Sequence, residues 1–90
     1  MPIVNFTAAL NRFFPNLKKG EFEGSTIKEV LGEIEEKHPG ISNYLVDEEG
    51  QLRKHINIFV GDRMIKDRLR LSDKVERGQE VLIFQALSGG

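Results

Sequence analysis

The chain has 90 residues, a formal net charge of −1, 39% hydrophobic and 30% charged residues, and no cysteine. That length makes one small domain, able to bury about 60–65% of the surface its unfolded chain exposes. The missing cysteines exclude disulfides, thiolate catalysis and cysteine metal sites, and the near-neutral charge gives no reason to expect nucleic acid as a partner.

No apolar run approaches the about 18 residues of a membrane span, and no basic-then-apolar leader or lipidation signal stands in the sequence. The expectation is therefore a cytoplasmic protein with no membrane partner. Asn5-Phe6-Thr7 matches a glycosylation acceptor, but without a leader Thr7 reads as the end of a strand.

Val4 and Phe6, with Pro2, alternate with Asn5 and Thr7, which predicts a first strand with Val4 and Phe6 facing inward. Ala8 to Phe14 is ambiguous, with Leu10 and the Phe13-Phe14 pair apolar enough to close one end of a core. Pro15-Asn16 breaks the run. Lys18 to Glu23 then offers a short, polar edge strand whose main apolar contact is Phe22, ended by Gly24.

The helix signal is the clearest. Thr26 followed by Glu29 forms a capping box, in which the hydroxyl accepts from the Glu29 amide and the carboxylate reaches back to the Thr26 amide. Ile27, Val30, Leu31 and Ile34 fall at i, i+3, i+4, i+7, one buried stripe. Glu33, Glu35 and Glu36 read as a solvated face. Gly32 costs about 1 kcal/mol relative to alanine, which predicts close packing there. Pro39-Gly40 stops the helix, so it spans about 27–38, and His38 reads as a helix-end residue rather than a metal ligand.

Ile41 to Leu45 predicts a short helical turn with Tyr44 or Leu45 against the core, and Asp47 to Gly50 a turn flanked by Val46 and Leu52. Ile56, Ile58 and Val60 alternate with Asn57 and Phe59 in a strand. Gly61-Asp62 turns the chain, and Met64-Ile65 begin a short return strand. Arg63, Lys66, Arg68 and Arg70 form the one basic cluster, read as a solvated loop, then as contact with an acidic partner surface, and last as contact with nucleic acid. Leu69 and Leu71 alternate, Ser72 to Val75 suggests a single turn, and Gly78 another. Glu80 to Phe84 closes the sheet, with Val81 and Ile83 inward and Leu82 and Phe84 outward.

One helix covers only one face of such a sheet, so the other meets solvent or a partner. Phe59, Leu82 and Phe84 fall on that open face as a docking patch, unless the loop from Ile41 to Arg53 folds over them. The last strand runs into Gln85-Ala86-Leu87-Ser88-Gly89-Gly90, an uncharged end poor in side chains. Glycine is costly to order, so the expectation is a flexible tail from about 86 to 90. The five residues after Gln85 would span roughly 17 Å when extended, enough to thread a partner's interior.

A first strand, a Thr-capped helix, a hairpin around Val60-Gly61-Asp62 and the closing Val75-x-x-Gly78-x-x-Val81-x-Ile83 before Gly89-Gly90 together carry a likeness. The chain resembles, over essentially its whole length, the β-grasp sulfur carriers of the MoaD/ThiS family. Ile41 to Val60 is similar to the branch used in cysteine synthesis. Gly78-Gln79-Glu80 departs from the usual Gly-Asp, and Gln85-Ala86 stands where prolines are common. The resemblance implies an α+β, ubiquitin-like β-grasp fold: a mixed four- to five-stranded sheet with one main helix on one face, as one domain over residues 1–90.

It further implies a carrier with no catalytic residues, no metal and no bound cofactor. An ATP-using, ubiquitin-activating-type enzyme would adenylate the carboxylate of Gly90, with Ala86, Leu87, Ser88 and Gly89 threaded into its site. A sulfur donor would then leave a thiocarboxylate for a sulfur-accepting biosynthetic enzyme making molybdopterin, cysteine, thiamin or thiolated tRNA. A ubiquitin-like modifier joined through Gly90 to lysines, a small subunit of molybdopterin synthase, and a plain interaction domain with an idle tail are the other readings.

Overall fold

The computed structural model describes residues 1–86. Its eight elements are β1 (Ile3–Phe6), α1 (Ala8–Asn11), β2 (Gly20–Glu21), α2 (Ile27–Lys37), α3 (Ile41–Leu45), β3 (Ile56–Val60), β4 (Arg63–Met64) and β5 (Glu80–Gln85). The strands form one mixed sheet in the order β2-β1-β5-β3-β4. β5 lies at its centre, parallel to β1 with Val4 beside Val81, and antiparallel to β3 with Ile58 beside Ile83. The expected fold class is what the chain adopts.

Alternation decides which face is buried. Val4, Ile56, Ile58, Val81 and Ile83 are buried on one side, where they meet the α2 stripe of Ile27, Val30, Leu31 and Ile34. Each such aliphatic side chain contributes about 1.5–3 kcal/mol when fully buried. Leu10 and Phe22 join the same core, but Phe13 does not: it is 59% exposed and lies over Tyr44 instead. Leu69 is likewise out in solvent, while Leu71 is buried.

The start of α2 shows how its unpaired amides are satisfied. The Ile27 and Lys28 amides donate to the carbonyls of Asp73 and Leu71, each at 2.9 Å. The Glu29 amide donates to Thr26 Oγ1 at 3.2 Å, the expected cap. The returning carboxylate, however, accepts from the amide and hydroxyl of Ser25, both at 2.7 Å, not from Thr26. Thr26 also bridges Lys74, so 72–75 runs alongside the helix entry rather than forming an isolated turn.

Two other expectations change. A Cβ on Gly32 would meet nothing within 4 Å, so no close packing requires that glycine. The close approach is at Gly24, where φ is +148° and a Cβ would sit 2.7 Å from the Val30 nitrogen. Glu35, read as a solvated side chain, caps α3: its carboxylate accepts from the Gly40 amide at 2.9 Å and the Ser42 amide at 2.8 Å. Those two bonds hold its carboxyl below the usual glutamate range.

Candidate functional site

The loop from Ile41 to Arg53 does not cross the open face. Ile41, Leu45 and Leu52 are buried with the α2 side of the core. The face opposite α2 therefore keeps its apolar residues accessible. Register puts Phe59 beside Leu82 on β5 and beside Met64 on β4, while Phe84 lies beside Asn57. Phe59 and Leu82 are half-buried, Phe84 is 37% exposed and Met64 50% exposed. The patch read from the sequence is thus contiguous, and the hairpin extends it by Met64. The turn at Gly61-Asp62 carried that signal, because a two-residue loop sets residue 64 opposite residue 59.

A cation borders the patch. The Arg68 guanidinium donates to Asn57 Oδ1 at 2.8 Å and to the Arg53 carbonyl at 2.7 Å. Both acceptors are neutral, and among the described residues the one ion pair is Lys37 with Glu33. Arg68 therefore presents its charge, uncompensated by a carboxylate of the described chain, at the edge of an apolar surface. Of the basic cluster, Arg68 is the member bonded to a residue of this face, and spacing alone gave no way to single it out.

Phe84 also walls a groove of about 400 Å³ lined by Thr7, Ala8, Ala9, Arg12 and Gln85. The groove lies where β5 ends. There the Gln85 amide donates to Thr7 Oγ1 at 3.1 Å, and the Gln85 side-chain amide donates to Tyr44 Oη at 2.9 Å. The Ala86 amide donates to the His55 carbonyl at 2.8 Å, so the tail expected from about 86 starts at a residue tied to the sheet. Leu87, Ser88, Gly89 and Gly90 lie outside the described residues.

His38 is the C-terminal cap of α2, its amide donating to the Ile34 carbonyl at 2.8 Å. Among the described residues no three His, Cys, Asp or Glu side chains gather as a metal site, and no helix is long and apolar enough to cross a membrane. What the described surface can offer is recognition: an apolar face and a bordering cation.

The family model for the ThiS family matches residues 4–90. The sulfur carrier protein CysO of Mycobacterium tuberculosis is 32% identical over 69 residues, 74% of each chain. Among solved structures, a chain of the Amycolatopsis orientalis BexX/CysO complex superposes at a TM-score of 0.85 with 30% identity, covering all of both chains. SAMP1 from Haloferax volcanii superposes at 0.78 with 21% identity, covering 99% of this chain and 98% of that one, a likeness of fold.

Proposed function

The chain belongs to the ThiS family, and from that premise we propose that it is a sulfur carrier whose reacting group is its own C-terminal carboxylate at Gly90. It is a carrier rather than an enzyme, as the relatives named sulfur carrier proteins are. The observation that carries the reading is the double use of β5. Leu82 and Phe84 give this strand an outward apolar face, and the same strand runs on in sequence to Gly89-Gly90. Docking on the open face would therefore bring the tail to a partner's active site.

The chemistry needs that partner. A carboxylate resists attack because its charge is shared over two oxygens and neither leaves readily. In the proposed reaction a Gly90 oxygen attacks the α-phosphorus of ATP in the activating enzyme, and pyrophosphate leaves. A sulfide-level nucleophile then attacks the acyl carbon, the bond to AMP breaks, and a thiocarboxylate remains. That soft sulfur is handed to an acceptor in a biosynthetic enzyme; cysteine formation is the destination nearest the CysO likeness. Two glycines before the carboxylate let the enzyme close on bare backbone.

ATP–pyrophosphate exchange with an activating enzyme tests the first step. Exchange is expected with the chain ending at Gly90 and is expected to vanish when one residue follows it. Equal exchange by both forms would overturn the proposal. Adducts larger than the free protein on a denaturing gel would instead mark a conjugated modifier.

A further inference from the structure

The geometry points to Gln85 and Tyr44 as positioning residues that fix where the tail leaves the body, an inference that rests on the proposed use of Gly90. Three bonds converge on two consecutive residues. Gln85 is held through its backbone by Thr7 Oγ1 and through its side chain by Tyr44 Oη, and Ala86 is held by the His55 carbonyl. The three anchors come from widely separated parts of the chain, so local propensity does not produce the arrangement.

The Tyr44 hydroxyl is itself held in place. Its ring lies against Phe13 at 5.0 Å between centroids and meets the edges of Phe14 and His55 at 6.2 and 6.0 Å. A ring packed on three sides offers its hydroxyl in one direction. Such prior ordering is what makes a contact useful for positioning. This also gives Phe13 a purpose that its exposure otherwise lacks.

Packing alone does not account for Gln85. Its Oε1 is buried and finds no donor among the described residues. A buried, unpaired carbonyl is destabilising, and an apolar side chain would fill the position without it. What glutamine adds there is the bond to Tyr44. Exchanging the amide oxygen and nitrogen leaves the argument intact, because one end still pairs with the hydroxyl and the other does not.

The consequence is kinetic. Docking through the open face determines how often the partner holds the body, and the clamp determines how often the held body has its tail aligned. Tyr44→Phe keeps the packed ring and deletes only the hydroxyl, while Gln85→Ala deletes the other half of the bond. Each is expected to lower kcat for adenylation about fivefold, the worth of one neutral hydrogen bond, with KM within about twofold of the parent. The double variant is expected to lose no more than either single one, since both remove the same contact. In the free protein, Tyr44→Phe is expected to speed hydrogen exchange at the Ala86 amide. Additive losses, a KM effect with kcat unchanged, or an Ala86 amide indifferent to Tyr44→Phe would each overturn the clamp. If the parent chain is never adenylated, the proposed function fails, and the exchange measurement still decides the clamp.

Discussion

Phe59 and Phe84, diagonal neighbours on β3 and β5, meet edge to face with ring centroids 6.4 Å apart on the sheet face opposite α2. The two rings pack on each other without being fully buried, as the proposed docking surface requires. Phe84→Ser should leave the folded structure in place and raise the KM for the activating enzyme by about tenfold, the worth of one 1.4 kcal/mol contact. Steady-state adenylation kinetics check this; an unchanged KM would remove the face from the docking account.

The two glycines around α2 separate conformational need from coincidence. Gly24→Ala forces a side chain against the Val30 backbone at a φ that disfavours it, and should cost more than about 1 kcal/mol. Gly32→Ala meets open space and should stabilise by up to about 1 kcal/mol. Urea midpoints of the two variants should move in opposite directions.

Thr26→Ala should cost about 1 kcal/mol, because it leaves the Glu29 amide without its cap. The loss stops there, since the Ile27 and Lys28 amides keep their backbone acceptors at 73 and 71. Thr26→Ser should restore most of the denaturation midpoint.

Acid should loosen the helix ends and the loop that carboxylates cap. Glu29 is held below the usual range by the Ser25 amide and hydroxyl, Glu35 by the Gly40 and Ser42 amides, and Asp67 by the Ser72 hydroxyl and the Arg70 amide. A carboxyl whose folded pKa is depressed stabilises the fold fully above its unfolded value and loses that contribution as pH falls through the folded one. Thermal midpoints should therefore drop as pH falls below the ordinary carboxylate values of about 4. Glu35→Gln should lower the neutral-pH midpoint and flatten the acid decline, and a decline as steep as the parent's would contradict the assignment.

The α2 stripe, its Thr26 cap and the inward set of β5 were legible because periodicity is a local property of the chain. The placement of Phe59, Leu82 and Phe84 on the open face was legible for the same reason, once one helix was seen to be too few for two faces. The capping of α3 by Glu35 was not, because a glutamate on an outward helix face looks the same whether it meets water or two amides. Nor was the clamp at Gln85, whose partners Thr7 and Tyr44 approach it only through the topology of the sheet. Gly24 and Gly32 show the limit most plainly: composition marks a glycine, and only the fold says which one has a neighbour.

In the proposed function the body recognises a partner and the terminal carboxylate reacts. Mass spectrometry of the C-terminal peptide, after incubation with ATP, a competent activating enzyme and a sulfide source, measures this directly. The Gly90 carboxylate is expected to exchange one oxygen for one sulfur, and only when ATP is present. An unaltered carboxylate, with an enzyme shown to form the adenylate, would contradict it.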